Sequence, residues 1–260
     1  MKIIVCVKQV PDTKGGVSFN EDGTLNRAAM LAIMNPDDKV GLEAALRLKD
    51  QYGAEVTVLS MGLPKATAVL REAYAMGADK MILVSDRPLG GADTWATSST
   101  LAAAIRNLDY DLIITGRQAI DGDTAQVGPQ IAEHLGIPVV SYTQSLEIKD
   151  GYAICQRQFD DRYHELKVKM PCLCTAIDAL AEPRYMSVGR IFEAFDQPVT
   201  TWGRKDLPTL KDEDMGKDGS PTKIAKASDK VRKGKGTKVN LDPEESVTYL
   251  MDQLTTRHIN

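Results

Sequence analysis

Residues 112–135 read LIITGRQAIDGDTAQVGPQIAEHL, an apolar run followed by a polar, glycine-bearing loop and a periodic segment. The run at 112–115 is typical of a buried strand. The following apolar residues recur every four positions and predict a helix over 124–135: Val127, Ile131 and Leu135. Asp123 stands at the N-cap position, Gln126 completes a capping box, and Gly136 ends the helix. The stretch therefore predicts one strand–loop–helix unit of an α/β fold.

The loop between this strand and helix has the features of an anion-binding site. Backbone N–H groups at a helix N-terminus lack intrahelical acceptors, and the helix dipole favours negative charge there. Gly122 and Gly128 would allow a ligand to approach the backbone closely. The alternative is an ordinary, well-capped turn, because every α/β protein contains such turns.

Strands and helices alternate through the first 140 residues. The strands are short, apolar and not alternating, as expected when helices cover both faces of a parallel sheet. They are predicted at 3–7, 56–60, 81–85, 112–115 and 139–142. Helices are predicted at about 37–52, 65–76, 94–107 and 124–135, and Asp93-Thr94 opens the third of them. This order predicts a doubly wound, mainly parallel sheet of the Rossmann-like α/β kind.

The second half of the chain departs from this alternation. Residues 147–154 predict a β-hairpin with Asp150-Gly151 at its turn, and a short helix follows near 188–195. From 203 to 238 the chain is polar and glycine-bearing, and an amphipathic helix begins at Asp242-Pro243. We therefore predict an α/β domain over 1–202 and, over 203–260, a C-terminal arm ending in a helix. The arm would lie along another subunit or, alternatively, dock on its own domain.

Composition narrows the classes of function. A net charge of -4 argues against general nucleic-acid binding, and no apolar run is long enough to span a bilayer. The apolar start of the chain is too short for a signal peptide and is expected to form the first strand. Four cysteines without C-x-x-C spacing are expected to be reduced and buried, which is typical of a cytoplasmic protein. The three histidines show no metal-ligand spacing, so we predict no metal site.

Several separate segments match one family in order. They are 7–12 (VKQVPD), 35–38 (NPDD), 70–79 (LREAYAMGAD), the loop 116–128 and 182–185 (EPRY). With these segments the chain resembles the β subunit of electron-transfer flavoproteins along essentially its whole length. The resemblance implies a heterodimer with a larger α subunit that carries FAD, and a nucleotide bound within the β subunit.

The resemblance leaves two forms of the family to distinguish. In the respiratory form the β subunit holds AMP structurally, whereas in the electron-bifurcating form of anaerobes it holds a second FAD that receives hydride from NADH. The respiratory form tends to carry Arg-Val-Ile-Asp-Tyr where this chain has Gln9-Val10-Pro11-Asp12-Thr13, and Asp-Asp-Asp-Cys-Asn-Gln where it has 121–126. Loss of the tyrosine would leave room for an isoalloxazine ring. These departures favour the bifurcating form.

That form implies particular partners. Electrons would pass through the α-subunit FAD to an acyl-CoA dehydrogenase-type or other flavin dehydrogenase, and separately to ferredoxin or flavodoxin. The alternatives are an AMP-holding electron carrier and a nucleotide-binding regulator of the universal-stress type. The arm, the hairpin and the segment 182–185 disfavour the regulator.

Cofactor-binding residues are expected where strands end and helices begin. Flavins supply the redox chemistry, so no catalytic side chain is predicted. The predicted set is Val7, Lys8, Val10, Asn35, Asp38, Met61, Gly62, Asp93, Thr94, Gly116, Gln118, Gly122, Asp123, Thr124, Gln126, Val127 and Gly128. Asn35 is equally typical of a helix cap, and Asp123 is assigned mainly to capping. Lys8 and Arg117 are candidates to supply positive charge toward a phosphate, or else ordinary surface charges.

A second functional region is expected between Arg184 and Phe195. In the family this is the recognition loop that docks onto dehydrogenases. The predicted docking residues are Arg184, Tyr185, Val188 and Ile191. The alternative is that Val188 and Ile191 face the core of a short helix.

Overall fold

The computed structural model describes residues 1–12, 31–223 and 236–259. Contacts divide the chain into two compact units, Met1–Lys223 and Ile224–Asn260. The first unit therefore extends past the boundary predicted at residue 202. It does so because Leu207 and Leu210 are buried in one of the two cores that pack on the sheet.

A nine-stranded sheet forms the centre of the first unit. Its strand order is β11-β5-β4-β1-β6-β10-β7-β8-β9, and the seven strands from β11 to β7 are parallel. These are β1 (Lys2–Cys6), β4 (Glu55–Met61), β5 (Lys80–Val84), β6 (Leu112–Gly116), β7 (Val139–Lys149), β10 (Cys172–Ala176) and β11 (Thr200–Trp202). β8 (Tyr152–Gln158) and β9 (Tyr163–Lys169) extend it antiparallel. A separate antiparallel pair joins β2 (Gln9–Pro11) and β3 (Ala32–Met34).

Helices cover both faces of the sheet, as a doubly wound fold requires. α1 (Pro36–Tyr52) and α2 (Thr67–Met76) pack on one face, and α3 (Thr94–Ile105) and α4 (Val127–Leu135) lie on the other. Along β1, Ile3 and Val5 join the core under α1 and α2, whereas Ile4 and Cys6 join the opposite core. Strand side chains alternate between faces with period two, so these central strands are apolar throughout. The predicted fold class is confirmed.

The predicted hairpin is confirmed, with Asp150 and Gly151 both at positive φ between β7 and β8. β7 is longer than predicted because it runs on from the parallel sheet into this hairpin. The four cysteines are free and buried, and the thiols of Cys155 and Cys174 lie 3.7 Å apart. α5 (Val188–Asp196) then packs against α2.

The second unit contributes one described helix, α6 (Pro243–Thr256). The Asp242 carboxylate caps it by accepting a hydrogen bond from the N–H of Glu245 at 2.9 Å. Its apolar side chains Val247, Leu250 and Met251 are each more than half exposed. Of the arm predicted over 203–238, residues 224–235 lie outside the described residues. Among the described residues, no helix is long and apolar enough to cross a membrane.

Candidate nucleotide site at the carboxyl edge of the sheet

The predicted site residues converge where β1 and β6 end side by side. β1 lies between β4 and β6, and the parallel strands place their carboxyl ends at one edge. The helices that follow these strands, α1 and α4, lie on opposite faces. A crevice at such a point of reversal is where ligands bind in open α/β sheets. Lys8, Gly116 and the loop 117–126 border it.

Asn35 and Asp38 brace this edge from the start of α1. The carboxylate of Asp38 accepts hydrogen bonds from the N–H groups of Lys8 at 2.8 Å and Gly116 at 3.0 Å, so one side chain ties the ends of β1 and β6 together. Asn35 donates to the Gln118 carbonyl at 2.8 Å and accepts from the Ile120 N–H at 3.1 Å. Asn35 occupies the N-cap position of α1, as expected from sequence, but its side chain makes no cap hydrogen bond.

The loop itself turns through two residues with left-handed backbone. Asp123 has φ 48° and Ala125 has φ 53°, and Gln126 returns to the right-handed helical region. A left-handed residue followed by a right-handed one turns successive N–H groups toward one side, which forms a concave anion site. Within the described chain the N–H groups of residues 124–128 have no hydrogen-bond acceptor.

The predicted capping box at the start of α4 is wrong. The helix begins at Val127, and Gln126 occupies the N-cap position without a side-chain cap. The N–H groups of Gly122 and Asp123 instead bond back to the Ala119 carbonyl, and residues 124–126 follow this turn without belonging to the helix. The Asp123 carboxylate accepts from the Gln118 amide at 3.0 Å. The consequence is a longer loop with more exposed backbone.

Both candidate cations are paired with carboxylates. The Lys8 ammonium lies 2.8 Å from Asp121 and bridges from the end of β1 to the loop, with the Lys8 side chain 48% exposed. The Arg117 guanidinium lies 3.4 Å from Asp37 at the start of α1. The Lys8–Asp121 pair is partly exposed and is therefore screened by solvent, whereas the Arg117–Asp37 pair is more buried.

The other predicted residues are spread along the same edge. Val7 and Val10 have buried side chains. Met61 ends β4, and the Gly62 N–H bonds to the Val84 carbonyl at 3.0 Å. Thr124 is exposed in the loop, and Val127 and Gly128 form the first turn of α4.

Asp93 and Thr94 start α3 on the side of the loop next to Gln126. Asp93 caps α3 by accepting from the Ala96 N–H at 3.1 Å, as expected from sequence. Thr94 donates its hydroxyl to the Gln126 amide oxygen at 2.8 Å. The start of α3 is thereby joined to the end of the loop.

Burial raises the pKa values of three ionisable groups at this edge, Asp37, Asp38 and Cys6. Loss of solvent raises the pKa of Asp38 to about 7, although hydrogen bonds from Asn35, Lys8 and Gly116 oppose the shift. Burial also raises the pKa of the Cys6 thiol to about 12, so this cysteine stays protonated. No group of His, Cys, Asp and Glu among the described residues has the arrangement of a metal site.

In the segment predicted to dock partners, Arg184 has a structural role, whereas the helix α5 exposes apolar side chains. Arg184 donates to both carboxylate oxygens of the buried Glu43, at 2.8 and 3.1 Å, and to Asp50 at 2.7 Å. These acidic neighbours raise the pKa of Arg184. Arg184 therefore fastens the segment to α1. Tyr185 is 98% exposed and Val188 72% exposed, whereas Ile191 is half-buried.

Sequence reasoning missed two aromatic residues on this helix. Phe192 and Phe195 are 74% and 69% exposed and continue the apolar surface of Val188. Their spacing from Val188, at i+4 and i+7, is the signal that would have found them. We call the exposed set Tyr185, Val188, Phe192 and Phe195 the α5 surface. The alternative that Val188 faces the core is wrong.

Comparisons with known proteins agree with this architecture. The family model described as electron transfer flavoprotein domain matches residues 22–207. The chain is 50% identical to an electron transfer flavoprotein subunit beta of Clostridium acetobutylicum over 258 residues, 99% of each chain. It is 47% identical to the caffeyl-CoA reductase–Etf complex subunit CarD of Acetobacterium woodii, over 100% of both chains. It is also 47% identical to the acryloyl-CoA reductase electron transfer subunit gamma of Anaerotignum propionicum, again over 100% of both. The chain therefore belongs to the electron transfer flavoprotein family, in its β-subunit branch.

Proposed function

We propose that this chain binds FAD in the crevice between β1 and β6 and, paired with an α subunit, takes part in electron bifurcation from NADH. The observation that carries the proposal is the loop 116–128, whose last five N–H groups are free within the described chain and lie beside two strand ends braced by Asp38. This arrangement suits the diphosphate of a dinucleotide.

The residues present fit a nucleotide diphosphate. Free N–H groups from 124–128 would donate to phosphate oxygens, and Lys8 would supply the positive charge at the mouth. A Cβ at Gly122 would meet nothing within 4 Å, so that flank of the loop is open. A bound flavin would supply hydride acceptance and one-electron transfer. The protein would hold it in place and keep the loop rigid through Asn35 and Asp38.

The choice of FAD over AMP, and of bifurcation over simple electron carriage, rests on the relatives and the sequence. Two relatives at 47% identity carry names that place them in caffeyl-CoA reductase and acryloyl-CoA reductase electron transfer. The missing tyrosine supports the same choice, although its position, Thr13, lies outside the described residues. The α subunit would carry the other FAD.

The α5 surface is the proposed contact for the flavin dehydrogenase that accepts the high-potential electron. Exposed aromatic and aliphatic side chains on one helix suit a small, fast-exchanging electron-transfer contact. Ferredoxin or flavodoxin would take the low-potential electron elsewhere on the complex. A nucleotide-binding regulator of the universal-stress type would not need a surface that docks a dehydrogenase.

Acceptor stoichiometry in the purified complex tests this function. NADH, a high-potential acceptor with its dehydrogenase, and ferredoxin are supplied together and then with each acceptor omitted. We expect ferredoxin to be reduced only when the high-potential acceptor is also present, in equal electron amounts. Reduction of the high-potential acceptor alone, with ferredoxin unchanged under every condition, would leave the AMP-holding carrier as the function.

A further inference from the structure

A segment that the sequence assigned to the arm is fastened beside the nucleotide loop. We call residues 212–223 the strap. It crosses the start of α3, where Asp214 accepts from the Trp95 indole N–H at 3.2 Å and the Lys217 N–H donates to the Gly90 carbonyl at 3.0 Å. Gly216 has φ 57°, and a Cβ there would collide with the Pro88 carbonyl. The strap is thus fitted closely to the first unit, and the second unit begins directly after it.

Asp93 is the point where the strap is held. Its N–H donates to the Ser220 hydroxyl at 2.8 Å, and its carboxylate accepts from the Thr222 N–H at 2.9 Å. Ser220 is 3% exposed, and its hydroxyl donates a hydrogen bond to the Gly216 carbonyl at 2.7 Å. Burial alone would raise the pKa of Asp93, but the hydrogen bonds from Thr222 and Ala96 lower it overall. The carboxylate therefore serves the strap and the cap of α3 together.

The same turn of α3 reaches the nucleotide loop. Thr94 follows Asp93 directly and donates to the Gln126 amide oxygen at 2.8 Å. Gln126 belongs to residues 124–128, whose N–H groups have no hydrogen-bond acceptor within the described chain. The hydrogen bond between Thr94 and the loop is therefore joined, through the peptide bond from Asp93 to Thr94, to the hydrogen bonds that Asp93 makes with Ser220 and Thr222.

We propose that Asp93 is a positioning residue that couples nucleotide binding at the loop to the ordering of the strap. A ligand that fixes Gln126 would fix Thr94 and the start of α3, and hence the strap. Coupling between two sites is reciprocal, so loosening the strap weakens nucleotide binding by the factor with which the nucleotide stabilises the strap. The inference rests on the proposed nucleotide site and adds a remote element that adjusts its affinity.

The test compares the full-length chain, complexed with its α subunit and freed of the nucleotide in this subunit, with the Ser220→Ala variant. The probe is AMP, the adenylate that FAD and AMP share. Hydrogen exchange of residues 212–223 is followed with and without AMP, and calorimetry gives the AMP affinity. Thr209→Ala is the matched control, because Thr209 is an exposed hydroxyl residue just before the strap.

We expect AMP to slow exchange across the strap in the wild-type complex and in Thr209→Ala. In Ser220→Ala we expect AMP affinity to fall about fivefold, with the AMP-dependent slowing lost. AMP binding that leaves wild-type strap exchange unchanged, or wild-type affinity in Ser220→Ala, would overturn the coupling alone. Failure of AMP and FAD to bind the wild-type chain would overturn the proposed function and the coupling with it. The wild-type comparison stands even if Ser220→Ala fails to fold.

Discussion

At the scale of residues, two glycines set how closely the loop and its helix approach the sheet. A Cβ at Gly128 would lie 2.6 Å from the Thr115 hydroxyl and 2.9 Å from the Thr175 methyl, and one at Gly116 would collide with the Asp38 carboxylate. Gly128 therefore allows the first turn of α4 to lie directly against β6 and β10, and Gly116 allows β6 to lie against the start of α1. The free N–H groups keep their place only while this contact is intact.

Gly128→Val should lose the nucleotide of this subunit while the FAD of the α subunit remains. Forcing a larger side chain into packed surroundings costs roughly 1–3 kcal/mol, about a fivefold to 150-fold loss if it falls on binding. The measurement is nucleotide content of the purified complex by chromatography. Gly189→Val is the control, since a Cβ at Gly189 meets nothing within 4 Å. Unchanged occupancy in Gly128→Val would make the loop an ordinary turn.

Asp38 should make the stability of the chain fall as pH rises toward neutrality. Its pKa is about 7 in the fold against an ordinary 3.8, so the native state keeps a proton that the unfolded chain releases between these values. Stability linked to this group is full below pH 4 and declines by about 1.4 kcal/mol per pH unit at most until pH 7. Urea unfolding at several pH values measures this slope.

The Asp38→Asn variant should show a flatter slope across the same range. Asp150→Asn, at the exposed hairpin turn, should keep the wild-type slope. Equal slopes in all three proteins would show that Asp38 does not hold a proton in the fold.

At the scale of elements, α5 is an amphipathic helix whose apolar residues are divided between the protein and solvent. Ala194 is buried against the first unit, whereas Val188, Phe192 and Phe195 are exposed. Arg71 stacks on Phe195 at 5.1 Å and Arg190 on Tyr74 at 4.2 Å, which holds the helix firmly in place. A rigid exposed apolar surface is what a transient partner can use.

Val188→Asp should reduce the rate of electron transfer to the partner dehydrogenase by orders of magnitude. A charge buried unpaired in a contact costs on the order of 3–5 kcal/mol. NADH reduction of the isolated complex should change little, because it uses a different surface. Stopped-flow rates for both steps are compared with those of Tyr163→Asp, which introduces the same charge at another exposed position. Loss of both rates would point to a damaged fold, and loss of neither would place docking elsewhere.

The elements themselves were predictable from sequence where the cause was local. Apolar strands, the Asp150-Gly151 turn and the cap at Asp93 were predicted because each depends on neighbours in the chain. The position of β10 between β6 and β7 was not, because it depends on pairing across the sheet. Asn35 has the features of a cap yet binds a loop 83 residues away, and such a competing partner is invisible in the local pattern.

At the scale of the whole molecule, the first unit ends at Lys223 and not at residue 202 as predicted from sequence. Leu207 and Leu210 are buried and the strap is fastened through Asp93, so residues 203–223 belong to the first unit. The exposed apolar side chains of α6 need a cover, and we propose that the α subunit supplies it.

Truncation after Lys223 should leave the first unit folded but release the α subunit on size exclusion. Truncation after Trp202 should lower the melting temperature as well, because it opens the core around Leu207. Circular dichroism melting and co-purification give the two readouts. If the chain truncated after Lys223 still co-purified with an equal amount of α subunit, the second unit would not be needed to bind that subunit.

The central claim, a full FAD held by the loop 116–128, is tested most directly by the nucleotides released from the purified heterodimer. Denaturing the complex and quantifying the released nucleotides by chromatography gives the content per heterodimer. We expect two FAD and essentially no AMP. One FAD and one AMP per heterodimer would contradict it.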